Sequence, residues 1–174
     1  MQSIRHRLSL SIKTPKTAKE GEAFGISYKV RNIGDTPFPG GRIVVELSWS
    51  SLAEKVYQSI DITNPLAPNE ETPPKKDSQE PLTTGFTWFY VAGASASDGN
   101  PVEVFKNGGT ILWPHATVII NGNNVQFRQV LHAIRTRTTD QINQLNALIA
   151  TTLSLIAVVA LQVIDWILRY YLHI

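Results

Sequence analysis

The sequence predicts an all-β antiparallel sandwich followed by one long α-helix that includes a transmembrane span. Up to about residue 120, apolar and polar residues alternate in short segments, which is the period of half-buried strands. Turn signals separate these segments, and no helical period occurs before residue 125. Beyond that point apolar residues recur every three to four positions, and the run from Gln141 to Ile164 carries no charged residue.

Seven or so short strands account for the first part of the chain. In the segment AFGISYKVR (23–31) every second residue is apolar, whereas TTGFTWFYV (83–91) is dense in aromatic and β-branched residues. Strands are predicted at 8–12, 23–31, 43–49, 55–63, 83–91 and 102–105, and residues 110–113 and 117–120 supply a last strand or pair, interrupted by Pro114. Their number and spacing indicate an immunoglobulin-like sandwich over residues 1–124.

Glycine and proline mark the connections between these strands. Asn32–Arg42 contains two prolines and three glycines and is predicted to be a short loop. Asn64–Pro81 contains five prolines and several charges and is predicted to be a mobile surface loop. Asp98-Gly99-Asn100 is predicted to be a turn.

One helical stripe runs from Phe127 through Leu131, Ile134 and Thr138 to Ile167. A helix from about Val125 to about Tyr171 would be about 70 Å long. We therefore predict an amphipathic helical stalk at 125–146 and a transmembrane helix with a short tail at 147–172.

The apolar segment has the length and the flanking residues of a membrane anchor. Eighteen residues from Ala147 to Ile164 span about 27 Å of the roughly 30 Å hydrocarbon core. Asp165 lies one turn from the end and reaches the headgroup level. The residues expected to contact lipid or its interface are Leu153, Ile156, Val159, Val163, Trp166, Arg169 and Tyr170.

Flanking arginines predict the orientation of the span. Arg128, Arg135 and Arg137 precede it, only Arg169 follows it, and no secretory signal opens the sequence. We therefore expect a tail anchor in the cell membrane with the sandwich in the cytoplasm. An extracellular sandwich is the alternative.

Small and hydroxyl-bearing residues on the span raise the question of self-association. Ala150 and Ser154 form a small-xxx-small pair, and Thr151, Thr152 and Gln162 carry hydrogen-bonding groups. A homo-oligomer through the C-terminal helix and ordinary lipid-facing small residues are equally compatible with this pattern.

The composition argues against several classes of function. The chain contains no cysteine, and its histidines, His6, His115, His132 and His173, are too scattered to share a metal. Before residue 125 there are 12 basic and 12 acidic residues, so the domain lacks the basic excess of a nucleic-acid binder. No nucleophile, phosphate-loop or calcium-loop motif is complete, so we predict no catalytic residue, no metal and no cofactor.

Three residues are candidates for contact with a protein partner. Trp113 lies beside Pro114 near the end of the predicted sandwich, and tryptophan is favoured at binding hot spots. Glu70 and Glu71 lie on the charged loop. Trp49 and Trp88 lie on strands with aliphatic neighbours, so we predict that both pack in the core.

The run EGEAFGISYKVRNIGDTPFPGGRIVVEL (20–47) resembles the opening of CARDB and related NEW3-like immunoglobulin-type modules of archaea and bacteria. The matching features are Gly21-Glu22, Asn32-Ile33-Gly34 and the strand from Ile43, and Leu66-Ala67-Pro68-Asn69-Glu70 is similar to the Leu-x-Pro-Gly-Glu turn of these modules. The resemblance covers roughly residues 8–120. It implies a sandwich that serves adhesion, spacing or protein contact, and not catalysis.

These observations predict a non-enzymatic, single-pass, tail-anchored protein whose partners are the lipid bilayer and a protein or membrane-complex subunit. The sandwich would act as an adaptor or accessory subunit. The alternatives are an oligomerising, membrane-perturbing effector and an exported cell-surface adhesion protein.

Overall fold

The computed structural model describes residues 4–49, 53–81 and 83–172, and it contains twelve strands and one helix. Residues 173 and 174 lie outside the described residues. The strands are β1 (His6–Lys13), β2 (Thr17–Lys19), β3 (Phe24–Asn32), β4 (Gly41–Trp49), β5 (Lys55–Ile62), β6 (Lys75–Gln79), β7 (Gly85–Ala96), β8 (Val102–Lys106), β9 (Thr110–Trp113), β10 (Ala116–Ile120), β11 (Asn123–Phe127) and β12 (Val130–Arg137). The helix, α1, is Thr139–Leu172.

Two five-stranded sheets form the sandwich. The first has the order β6-β3-β1-β8-β9 and the second the order β2-β12-β7-β4-β5. β1 and β8 run parallel, whereas the pairs β1–β3, β3–β6, β8–β9, β7–β12, β4–β7 and β4–β5 are antiparallel. β10 and β11 form a separate two-stranded sheet. The predicted fold class, a sandwich followed by one long helix, is confirmed.

The inner faces of both sheets build one core. On β4 the side chains of Ile43, Val45, Leu47 and Trp49 are buried, as the period of two requires. They pack with Phe89 and the other buried apolar residues of both sheets in a single cluster. The Tyr28 hydroxyl on β3 donates a hydrogen bond to Gln58 on β5 and so ties the first sheet to the second.

The predicted surface loop Asn64–Pro81 is paired with the sandwich, which corrects that prediction. Leu66 is buried and forms a bridge with Phe38, Glu71 forms a bridge with Arg31, and β6 pairs with β3. Prolines of this segment lie between the paired residues. The lysines of β6 lie on a sheet edge, where charged side chains are tolerated.

The helical stalk predicted from Val125 is wrong for residues 125–138, which comprise the end of β11, the connection to β12, β12 itself and Thr138. A β-bulge explains the misleading spacing. Val130 pairs with Tyr90 and His132 with Phe89, so Leu131 is an extra residue on β12. The bulge places Leu131 and Ile134 in the same core although they are three residues apart.

A capping box fixes the true start of the helix. The Thr138 hydroxyl accepts a hydrogen bond from the Gln141 backbone N–H at 3.2 Å, and the Gln141 side chain accepts one from the Thr138 N–H at 3.3 Å. Asp140 in the first turn also favours this end of the helix dipole. The chain divides between Thr136 and Arg137 into two compact units, the sandwich and the helix.

α1 is long and apolar enough to cross a membrane. Its 34 residues are about 51 Å long. Its apolar side chains are largely exposed in the isolated chain, whereas a core helix of a soluble domain would bury them.

Candidate functional site: the outer face of the second sheet

Aromatic and arginine side chains gather on the outer face of the second sheet. Along β7, Thr87, Phe89 and Val91 are buried, so the residues between them point outward. In antiparallel pairs, opposite residues share a face, which brings side chains of β5 and β12 alongside. We call this region the aromatic–arginine surface; it consists of Tyr57, Phe86, Trp88, Tyr90, Arg128 and Arg135.

The rings form an ordered row. Phe86 and Trp88 are stacked, with ring centroids 6.3 Å apart and planes at 13°. The Arg135 guanidinium lies 5.9 Å from the Phe86 ring centroid, and the Arg128 guanidinium lies 4.6 Å from that of Tyr90. These distances are typical of cation–π contacts. Tyr57 is 57% exposed and Phe86 45% exposed, so the row meets solvent.

A buried carboxylate organises one end of this surface. Glu46 lies on the outer face of β4 but is only 3% exposed, because neighbouring side chains cover it. Arg128 approaches its two carboxylate oxygens at 3.0 and 2.8 Å, and the Lys55 ammonium lies 3.3 Å away. The ion pair with Glu46 therefore holds the Arg128 guanidinium over the ring of Tyr90.

The pKa values of this cluster reflect the ion pairs. Burial alone would raise the pKa of Glu46, but the hydrogen bonds from Arg128 and Lys55, together with the charges of both, outweigh burial and hold the pKa below its ordinary value. The Glu46 hydrogen bond likewise raises the pKa of Arg128. Both groups are charged throughout the physiological range.

The position of Trp88 corrects the sequence prediction. Trp49 is buried in the core as expected, but Trp88 is half-buried and points to the outer face. The period of β7 carries this information, since Thr87 and Phe89 occupy the inward positions. The aromatic density of the segment concealed the alternation.

The residues predicted for partner contact do not lie together. Trp113 packs edge-on against His115, with ring centroids 5.0 Å apart, and lines a cleft of about 430 Å³ beside the Arg5–Glu103 ion pair. Glu70 and Glu71 line another cleft of about 310 Å³.

Both glutamates also have structural partners. The Glu70 carboxylate accepts a hydrogen bond from the Ala67 N–H at 2.7 Å, and Glu71 pairs with Lys29 at 3.2 Å. The assignment of Trp113, Glu70 and Glu71 to partner contact stays a prediction.

The turn at Asp98 forms as predicted. The Asp98 carboxylate accepts hydrogen bonds from Asn100, and its Oδ2 lies 2.9 Å from Nε2 of the buried His6. These bonds, first that of His6 and then those of Asn100, lower the pKa of Asp98 to about 2. Within the described ranges, no group of three or more histidine, aspartate or glutamate side chains is placed to hold a metal ion.

Comparison with known proteins finds similarity at the level of structure. No protein-family model matches the sequence, and no curated protein matches it. A crystal structure of a CARDB domain from Pyrococcus furiosus, in complex with di-metal ions, matches with a TM-score of 0.39 and 16% identity over 75% of this chain and 93% of that one. The solution structure of the same domain gives 0.39 and 17% over 74% and 93%. A β-glucosidase from Listeria innocua gives 0.36 and 16% over 57% of this chain and 16% of the enzyme. The chain is thus similar to CARDB domains in its sandwich and carries an apolar C-terminal helix in addition.

Proposed function

We propose that the protein is a non-enzymatic, single-pass, tail-anchored membrane protein whose sandwich binds a protein partner through the aromatic–arginine surface. It would serve as an adaptor or accessory subunit of a membrane-associated complex. The observation that carries the proposal is the row of exposed and half-buried rings and guanidinium groups on the outer face of the second sheet. Tyrosine, tryptophan and arginine are the residues that dominate binding hot spots.

The charge of this surface indicates the chemistry of the partner. Arg128 and Arg135, with Lys55 beside the surface, bring three positive charges, of which Glu46 neutralises one. A partner segment with carboxylates flanking an aromatic or aliphatic anchor would complement both the rings and the charge excess. Because Arg128 is already held in place, it would lose little conformational freedom on binding.

The end of α1 supports insertion into a bilayer. Arg169 pairs with Asp165 at 2.9 Å one turn apart, which neutralises the carboxylate nearest the apolar segment. Trp166 and Tyr170 are stacked, with ring centroids 5.5 Å apart, and would lie at the interface.

The arginines that precede the span do not contribute equally to its orientation. Arg128 is held in an ion pair with Glu46, whereas Arg135 and Arg137 lie just before the start of α1, so the comparison rests on Arg135 and Arg137 against Arg169. Two against one still favours a cytoplasmic sandwich. Protease protection in sealed vesicles tests this orientation. Digestion of the sandwich from the outside of intact cells would favour the exported alternative.

Hydroxyl groups on the span give little support to the pore-forming alternative. The side chains of Thr151, Thr152 and Ser154 each donate a hydrogen bond of 2.9 Å to the carbonyl four residues earlier. Their polarity is thereby satisfied within the helix, so they require neither a lumen nor a neighbouring helix.

Site-specific photocrosslinking in the full-length protein tests the partner surface. A photoreactive phenylalanine analogue replaces Trp88, and a matched variant carries it at Ser11, on the first sheet. We expect one recurrent protein crosslinked at position 88, and a lower yield when Arg135→Glu is added, because an acidic partner would be repelled. Equal labelling at both positions, or a yield insensitive to Arg135→Glu, would contradict the proposal.

A further inference from the structure

The β10–β11 hairpin is a separate sheet with one apolar face. Asn121 and Gly122 join the strands with φ values of 49° and 80°, as a tight two-residue turn requires. Val118 pairs with Val125, and Ile120 and Phe127 share their face. These four side chains are between 37% and 47% exposed.

The edges of this hairpin lack the protection that the other sheet edges have. Among the described strands, β6 carries two lysines and an aspartate, β5 carries a lysine and an aspartate, and β2 and β9 are only three and four residues long. In contrast, residues 116–127 contain no charged residue and no proline, and their pairing is regular. Short strands and charges are the usual means of preventing edge-to-edge association.

The hairpin alone is a marginal structure. A two-stranded sheet is barely stable in water and needs further strands or a covering surface. Within the described residues, the strands of the hairpin pair only with each other. A partner strand on the β10 edge would supply what the hairpin lacks.

The sequence of β10 fits a second copy of itself. If β10 pairs antiparallel with β10 of another copy about Val118, then Ala116 faces Ile120 and Thr117 faces Ile119. Every such pair is apolar or contains threonine, and valine, isoleucine and threonine favour strands. No charge meets its own copy across the symmetry axis.

Lipid is a poorer partner for the hairpin than a second copy of the chain. Asn121, Asn123 and Asn124 surround the turn, and burying their amides in hydrocarbon without partners would be costly. We therefore propose that two copies of the chain associate through the edges of β10 and form a continuous four-stranded sheet.

The interface is small, which makes it dependent on concentration. Five residues from each β10 bury far less than the roughly 800 Å² per partner of a standard interface. Confinement of both copies to one membrane would raise their effective concentration. The pairing itself involves none of the residues of the aromatic–arginine surface.

Cysteine crosslinking of the full chain in phosphatidylcholine vesicles tests the pairing, because the chain has no cysteine of its own. Val118→Cys should form a disulfide-linked dimer on mild oxidation, since directly opposite Cβ atoms lie about 4.5–5.5 Å apart. The matched control is Gln126→Cys on β11, which would be more than about 14 Å from its copy, since three strand spacings separate the two. It should remain monomeric.

A charge on the edge provides the second measurement. Val118→Lys places two ammonium groups across the axis and should lower the dimer fraction, raising the dissociation constant about tenfold or more. Because Val118 is about half exposed, folding should be retained, as checked by the unfolding transition.

Three outcomes would overturn the proposal. These are a dimer that persists in Val118→Lys, equal crosslinking of both cysteine variants, and a monomer in which a fluorophore at position 118 is quenched by lipid-borne quenchers. The first would indicate association through another surface, such as the helix, and the last would assign the hairpin to the bilayer.

Discussion

Replacing Glu46 with glutamine should destabilise the sandwich and remove a defined part of its pH dependence. The carboxylate is buried, contacts Arg128 through both oxygens and lies 3.3 Å from Lys55. Glutamine keeps one acceptor but turns an amide donor toward Arg128, so at least one charge-assisted hydrogen bond is lost. Because the side chains of Arg128 and Lys55 are 34% and 43% exposed, water can solvate them. We therefore expect a loss of about 2 kcal/mol, less than that for a fully buried pair.

The sign of the pH effect follows from the lowered pKa of Glu46. The ordinary pKa is 4.5, and the folded-state value lies below it. As the pH falls, the unfolded chain therefore binds this proton before the folded one does. The stabilisation is complete above pH 4.5 and is lost as the pH falls through the folded-state pKa.

Urea unfolding of the full chain in detergent micelles, followed by tryptophan fluorescence, measures both effects. The difference in unfolding free energy between the wild type and Glu46→Gln should be about 2 kcal/mol at pH 7 and should shrink below pH 4.5. Arg128→Gln completes a double-mutant cycle, in which the two losses should be less than additive. A difference below about 0.5 kcal/mol, or one that does not vary with pH, would refute this account of the cluster.

Three further predictions concern the scaffold and are read by the same unfolding measurement. Gly41→Ala should lower the free energy of unfolding by about 1–3 kcal/mol, because φ of Gly41 is 158° and a Cβ would lie 2.1 Å from a β7 carbonyl oxygen. Gly93→Ala should leave the free energy of unfolding unchanged, because the space around Gly93 is open. Equal losses for the two variants would contradict this. Trp49→Ala should cost about 3–5 kcal/mol, whereas Trp88→Ala should cost about 1 kcal/mol or less and instead weaken partner binding; a large stability loss for Trp88→Ala would place it in the core. Asn32→Ala should lower the free energy of unfolding by about 3 kcal/mol, since it removes three hydrogen bonds made by a buried side chain; a loss under about 1 kcal/mol would show that water replaces them.

Period-two alternation predicted most of the strands because it reports directly on burial. The signal failed at β12, where the bulge gives Leu131 and Ile134 a helical spacing within a strand. The competing signal was present in the sequence, since Thr138 and Gln141 have the spacing of a capping box. Weighing that local signal above the longer apolar stripe would have placed the helix start at Thr139.

The aromatic–arginine surface was harder to predict because strand pairing assembles it. Arg128 and Glu46 are 82 residues apart in the chain, and neither has a local pattern that indicates the other. The outward direction of Trp88 was readable from alternation with Thr87 and Phe89. The positions of Arg135 and Tyr57 beside Trp88 could not be predicted in this way, since they depend on the register of β12 and β5.

The residues of the motifs that resemble CARDB modules hold the backbone in its conformation. Asn32 is buried and donates hydrogen bonds to the carbonyls of Thr36 and Leu66 while accepting one from the Gly34 N–H. Asn69 has a φ of 68°, which explains why this turn accepts glycine or asparagine.

Such motifs predict a fold and leave the choice of partner open, because their polar groups are already occupied. In the proposed function, specificity would therefore reside in outward-facing side chains that the fold does not require, such as Trp88 and Arg135. A substitution in the motif should thus lower stability and partner binding together. A substitution at Trp88 or Arg135 should lower binding while the unfolding transition stays nearly unchanged.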